Sequence, residues 1–392
     1  MQTGLDVLLA QEETLRHLRA KRVGVLAHAA SIDSRGVHIV FALRENGIEC
    51  ARIFAPEHGL WGVAQDMESV DSGYDAIVDS HVVSLYGSSL QSLRPDAESL
   101  ADLDVIVIDI QDVGARYYTF VYTALFLAQA ALAKGCEVYV VDRPNPIGAS
   151  AIEGNFVDAE YRSFVGMRSM ATRHGMTTCE LLSMWCEEDA TPNRENLHCL
   201  WMQGYDRQAY FDETGLFWTP PSPNMPTIET AIVYPGMCLI EGTNLSEGRG
   251  TTRPFEYIGA PWVKPQATID ALACLALPGV VFRAVDFRPM FQKHVMAVCH
   301  GIQMFVSDRQ AFRPLLTGIA ILSVMSALHD EFDWRREVYE FEGDKLAIDL
   351  LFGTSEVRAA IESRESPFAI ASQMQSQTDR WRDLREPWLH YR

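Results

Sequence analysis

Leu103-Asp-Val-Ile-Val-Ile-Asp-Ile-Gln-Asp-Val-Gly-Ala-Arg-Tyr-Tyr-Thr-Phe120 is the stretch whose reading decides the fold. It opens with a β-branched apolar run, Val105 to Ile108, the pattern of a strand buried on both faces. Asp109, Gln111 and Asp112 follow at its C-terminal end, and Gly114 breaks the chain. From Arg116 the period becomes helical. Phe120, Ala124, Leu127 and Ala131 share one face, with Val121, Leu125, Ala128 and Leu132 beside it. Lys134-Gly135 closes the helix, and a second apolar strand runs from Val138 to Val141. Strand–helix–strand units of this kind build parallel sheets with right-handed crossovers, and open sheets bind ligands beyond the carboxyl ends of their strands. That rule makes Asp109, Gln111, Asp112, Arg116, Tyr117 and Tyr118 a candidate site. The competing reading is that Asp109 and Asp112 only cap the helix and tie down the loop.

Working outward, the same grammar repeats. A helix over Gln11–Ala20 precedes a strand at Val23–Ala27, and a short helix ends at Asn46-Gly47. The strand Ile48–Phe54 runs into Ala55-Pro-Glu-His-Gly-Leu-Trp-Gly62, where Pro and two Gly make a shaped loop. Glu57 and His58 in that loop put a carboxylate and an imidazole at a strand end, a pairing suited to acid–base work; the alternative is that they only hold the loop. Asp71-Ser-Gly73 reads as a turn and His81–Leu85 as extended. The strand at Val138–Val141 delivers Asp142-Arg-Pro-Asn-Pro146, projecting Asp142, Arg143 and Asn145. Three strand ends rich in polar groups form a pocket hypothesis.

Further on, a helix over Thr178–Glu187 and a strand over Leu197–Met202 lead to Trp218-Thr-Pro-Pro-Ser-Pro-Asn-Met-Pro226, a proline-rich connector. The expected division is therefore a larger domain over residues 1–235 and a smaller one over 236–392. The second begins near Glu241-Gly-Thr-Asn-Leu-Ser-Glu-Gly-Arg-Gly-Thr251, in which Glu241, Asn244 and Arg249 sit among glycines that allow close backbone approach. Strand-like runs at Val280–Phe282 and Ile302–Val306, with helices at Leu315–His329 and Leu346–Phe352, make it a smaller mixed α/β domain.

Bulk properties narrow the function classes. The 392 residues are 48% hydrophobic and 22% charged, ordinary for a globular chain with two cores. A formal net charge of −19 argues against nucleic acid or an anionic membrane as partner. No apolar run reaches spanning length. The first residues lack a basic then apolar export signal, which points to the cytoplasm. Eight cysteines form no C-x-x-C pairs, so buried free thiols in a reducing compartment are expected. No metal signature and no phosphate loop of either common type is present, so no metal and no cofactor are expected. Oligomeric state is not legible.

Seven segments in order complete the reading: Phe54–Gly62, Ser84–Gly87, Asp109–Phe120, Asp142–Pro146, Arg173–Met176, Pro221–Pro226 and Glu241–Thr251. Together they resemble the NamZ-type exo-β-N-acetylmuramidases, glycoside hydrolase family 171, over about Lys21 to Phe352. The resemblance implies a Rossmann-like, mainly parallel α/β domain without a dinucleotide, a smaller C-terminal domain, and a cleft between them. It implies an exo-acting hydrolase that releases N-acetylmuramic acid from the non-reducing end of peptidoglycan fragments, a saccharide substrate. Glu57 falls at the position of the family's catalytic glutamate. Exported relatives leave a periplasmic or secreted location open. Glycoside hydrolysis usually takes two carboxyl groups, one of them a proton donor. Glu57 is the acid candidate; Asp109, Asp112 and Glu241 are possible partners, and the substrate's own amide oxygen is an alternative nucleophile. The expected site is then Glu57, His58 and Asp109 for catalysis, with Gln111, Asp112, Arg116, Tyr117, Tyr118, Arg143, Asn145, Glu241, Asn244 and Arg249 binding substrate. A sugar- or muropeptide-binding protein without chemistry and a general N-acetylhexosaminidase are the competing classes.

Overall fold

The structure, a computed structural model, describes residues 1–391. Its main sheet has seven strands: β1 (Val23–Leu26), β2 (Cys50–Ala55), β3 (Gly73–Asp75), β4 (Ser80–Ser84), β5 (Val105–Ile108), β6 (Glu137–Val141) and β7 (Leu197–Leu200). They lie in the order β3-β4-β2-β1-β5-β6-β7, parallel throughout except that β3 runs antiparallel to β4. The β-branched run of β5 explains the centre of this sheet. Ile106 and Ile108 pack into the apolar cluster under the helix Phe120–Lys134, while Val105 and Val107 pack into a second cluster under the N-terminal helices. All four are fully buried, so the strand satisfies two cores at once, as parallel strands must. From β1 the chain winds outward through β2 and β4, then returns to β5 and winds the other way. The reversal places a switch point at the carboxyl ends of β1, β2 and β5, where ligands bind in open sheets.

The helix Phe120–Lys134 ends as its sequence dictates, with Gly135 in the left-handed region at φ 92° and its N–H returned to Ala131 and Leu132 carbonyls. The second sheet is antiparallel: β8 (Tyr257–Ala260), β9 (Val280–Phe287) and β10 (Cys299–Val306), ordered β8-β10-β9. Both expected strands here are longer than their apolar runs. In β9 the exposed Arg283 and the carboxylate of Asp286 interrupt the hydrophobic signal, yet the backbone pairs on to Phe287. A helix at Gly4–Ala10, not expected, precedes the one observed at Glu12–Arg19. Its capping box of Thr3 and Asp6 was the available signal. The expected turn near Gly73 starts the edge strand β3 instead.

Two helices join the halves. Ile228–Met237 and Pro314–Leu328 touch backbone to backbone at Gly236 and Gly318; a Cβ on Gly236 would lie 1.9 Å from the Pro314 carbonyl oxygen. Gly236→Ala should therefore force the helices apart at a cost of about 1–3 kcal/mol, read as a lower urea midpoint. An unchanged midpoint would show that the contact is slack. The chain's end returns to the first sheet, where Trp381 Nε1 donates to the His174 carbonyl at 2.9 Å and the Tyr391 hydroxyl to Asp142 at 2.7 Å. No helix among the described residues is long and apolar enough to cross a membrane.

Candidate active site

The loop after β2 delivers the first functional side chains. His58 sits in the left-handed region at φ 71°, and its Nδ1 lies 2.9 Å from the Ala64 carbonyl, which closes the loop on itself. Glu57, only 5% exposed, accepts a 2.7 Å hydrogen bond from the Thr119 hydroxyl at the start of the Phe120 helix. Two strand ends, β2 and β5, are thereby tied together at the switch point. Around this bond lies a cavity of about 40 Å³, lined by Glu57, His58, Tyr117, Tyr118, Glu241 and Arg249 from the expected set. Asp66, Thr119, Asn224, Tyr339 and Glu340 line it as well.

The Tyr118 hydroxyl, with Ser222 beside it, is buried and left without a well-formed hydrogen bond, so it is available to a ligand. Tyr117 is committed, donating through its hydroxyl to the Pro235 carbonyl. The glycine-rich loop brings Arg249 to the wall. Its Nη2 donates to Glu241 at 2.6 Å, and it lies 3.4 Å from both Asp66 and Glu247. Glu241 also accepts from the Tyr339 hydroxyl at 2.7 Å. Burial pushes the Glu241 carboxyl up, against the pull of Arg249. A larger depression of about 680 Å³ with Asp66 in its wall opens to solvent. It contains Asn244, whose side chain bonds the backbone of Glu331 and Asp333. The two cavities share Asp66 in their walls.

The expected convergence of three strand ends needs correction. Asp109 is fully buried behind the loop and held by both Nε and Nη2 of Arg143, the latter at 2.8 Å. Burial pushes its carboxyl up, while Arg143 pulls it down. Gln111 bridges the carbonyls of Asp112 and Pro144, and Asp112 accepts from Gly114 N–H and pairs with His174 at 3.1 Å. Asn145 donates to the Met176 carbonyl. Arg116, with no exposed surface, donates to four carbonyls, those of Asn155, Met170, Leu351 and Phe352. None of these six side chains lines the cavity. Their polar groups satisfy buried loop backbone, which otherwise would pay full desolvation. Asp142 is likewise a cap, accepting from Thr177, Cys179 N–H and Tyr391, with burial pushing it up to about 7.

Of the lining residues the motif reading missed, Thr119 lay inside a quoted motif, whereas Asp66 and Glu340 carried no sequence signal. Among the described residues no group of three His, Cys, Asp or Glu is placed to hold a metal ion.

Comparison with known proteins adds to this geometry. The family model described as "Exo-beta-N-acetylmuramidase NamZ, N-terminal" matches residues 23–229, and its C-terminal counterpart matches residues 232–391. The chain is 40% identical over 392 residues to the peptidoglycan beta-N-acetylmuramidase NamZ of Bacillus subtilis (strain 168), covering 100% of this chain and 91% of that one. A crystal structure of a DUF1343 family protein from Bacteroides fragilis superposes with a TM-score of 0.86 at 29% identity, covering 100% and 99% of the two chains. A second such protein from the same organism, at 24% identity and a TM-score of 0.75 over the same shares, has the same fold.

Proposed function

The chain belongs to the exo-β-N-acetylmuramidase NamZ family, and from that premise we propose that it is an exo-acting glycoside hydrolase. Its substrate is a peptidoglycan fragment, from whose non-reducing end it releases N-acetylmuramic acid. The observation that carries this reading is the cavity itself: a small, largely enclosed space at the sheet's switch point, lined by carboxyl groups, beside a broad depression. The anomeric end of a terminal sugar would reach this space, with the rest of the glycan lying in the depression. Glu57 works at the anomeric centre. His58 shapes the loop that presents it, and Tyr118 offers a free hydroxyl to the sugar. Glu57 and Glu340 line the cavity with no ion-pair partner among the described residues, a setting that costs several kcal/mol for each charged group desolvated and that disfavours a receptor. The eight unpaired cysteines support a reducing compartment, the cytoplasm, for this turnover.

The lactyl ether of N-acetylmuramic acid ends in a carboxylate, which needs a local cation in so acidic a chain. Of the four arginines in the motif loops, Arg116 is committed to carbonyls, Arg143 to Asp109 and Arg253 to Glu256. Arg249 is ion-paired too, with Glu241 at 2.6 Å and with Asp66 and Glu247 at 3.4 Å, but it is the one of the four that lines the cavity. We assign it the lactyl carboxylate, to which guanidinium is well matched. A charge-assisted hydrogen bond contributes roughly 1.5–3 kcal/mol, so a chromogenic glucosaminide should react about 10- to 150-fold less well in kcat/KM than the matching muramide. Equal rates on the two would identify a general N-acetylhexosaminidase and leave Arg249 a structural residue.

A further inference from the structure

The cavity holds a second carboxyl group of unusual setting. Glu340 stands at the tip of a two-residue hairpin in which Tyr339 and Glu342 exchange both backbone hydrogen bonds, at 3.0 and 2.9 Å. Both central residues are left-handed, Glu340 at φ 47° and Phe341 at φ 68°. Turns of this shape are built from Asn-Gly or similar pairs, because a Cβ is disfavoured there. A glutamate and a phenylalanine hold it here only because the surroundings over-determine the backbone, a form of strain that gathers at active sites. The Phe341 ring packs 5.8 Å from that of Tyr86, which packs in turn on Phe164. The Tyr86 hydroxyl lies 3.3 Å from Glu340 Oε2 and donates to it. The turn is thus pinned with its carboxyl group on the wall that Glu57 shares.

The charged groups facing Glu340 are nearly all of one sign. Glu57 and Asp66 come from the loop after β2, and Glu241 from the turn that follows the Ile228 helix; Tyr86 and Tyr339 are neutral. The guanidinium on the cavity wall, Arg249, is engaged by Glu241 and flanked by Asp66 and Glu247, and Arg335 lies over the outer Tyr339 ring. Burial, and then the neighbouring Glu57, push the Glu340 carboxyl well above the usual carboxylate range. Glu57 accepts the Thr119 hydroxyl at 2.7 Å. Two carboxyl groups that face one buried space disfavour each other's charge, and Glu340, whose carboxyl is raised, is the one suited to hold a proton.

We propose that Glu340 is the general acid of this enzyme, giving its proton to the glycosidic oxygen across the cavity from Glu57. The assignment rests on the hydrolase reading above and moves to Glu340 the proton-donor role that the motifs alone suggest for Glu57. Over one turnover the anomeric carbon–oxygen bond breaks with its electron pair on the departing oxygen, which takes the proton of Glu340. The oxygen of a water bonds to the anomeric carbon, and that water's proton passes to the Glu57 carboxylate. Solvent then carries a proton from Glu57 back to Glu340.

The test compares two muramides, one with 2,4-dinitrophenolate as leaving group, which departs without a proton, and one with N-acetylglucosamine, which needs one. Glu340→Gln should lose at least about 10²-fold in kcat/KM on the sugar substrate and stay within about tenfold on the dinitrophenyl one. On the latter it should also lack the alkaline limb of the wild-type pH profile. Glu340→Asn, which tolerates the left-handed backbone, serves if the first variant does not melt cooperatively. Equal losses on both substrates, or no loss on either, overturn the assignment. A wild-type enzyme inert on both muramides but active on glucosaminides would instead overturn the muramidase reading, and the same leaving-group comparison on glucosaminides would then decide the role of Glu340.

Discussion

Glu57→Gln is expected to fold like the wild type and to lose about 10²- to 10⁴-fold in kcat on a muramide, the range for a positioned acid or base. The substitution is isosteric, and the amide oxygen of Gln can still accept the Thr119 hydroxyl that Glu57 Oε2 accepts at 2.7 Å. It removes a negative charge from a space already shared with Glu340, Glu241 and Asp66, so the melting temperature should hold or rise slightly. Loss of activity with no loss of stability is the signature of a residue kept for chemistry. A folded variant within tenfold of wild-type kcat would remove Glu57 from the reaction. Loss on the sugar and dinitrophenyl substrates alike is expected, because its role lies with the attacking oxygen and not with the leaving group.

How far the site was legible follows from what each residue does for the chain. The parallel sheet was readable from β5 because a strand buried on both faces must be apolar throughout, and Val105–Ile108 is. Glu57, His58, Glu241 and Arg249 were readable because they interrupt loops whose prolines and glycines fix an unusual path. Asp109, Arg116 and Arg143 were misjudged for a related reason. A polar group at a strand end can face a ligand or satisfy buried loop backbone, and local sequence does not show which way it turns. Only the long-range partners decide, such as the Leu351 and Phe352 carbonyls that Arg116 reaches across 235 and 236 residues. Glu340 was invisible for the opposite reason. Its turn lacks the Asn-Gly that would announce it, and its backbone is held by the Tyr86 and Phe341 rings.

The stability counterpart of Glu57 is Asp109, and the two substitutions should behave in opposite ways. Asp109→Asn is expected to cost roughly 3–5 kcal/mol, the usual penalty for removing one member of a buried ion pair, and to leave KM for a muramide little changed. The Arg143 guanidinium is 5% exposed at its side chain, and its Nε and Nη2 donate to Asp109, with Nη2 also reaching the Ile32 carbonyl. Without the carboxylate, that charge stays buried beneath the loop and lacks its counter-ion. An amide can offer Arg143 one acceptor in place of two, and its N–H₂ would face the guanidinium's own donors. Removing both charges, as in Asp109→Leu with Arg143→Met, should recover much of the loss, since apolar replacements of buried pairs are often tolerated. Chemical denaturation of the three variants, each assayed at a temperature where it is folded, separates structure from catalysis. If Asp109→Asn keeps the wild-type midpoint and loses turnover, the pair belongs to the reaction after all, and the carboxyl partner of Glu57 must be sought beneath the loop and not across the cavity.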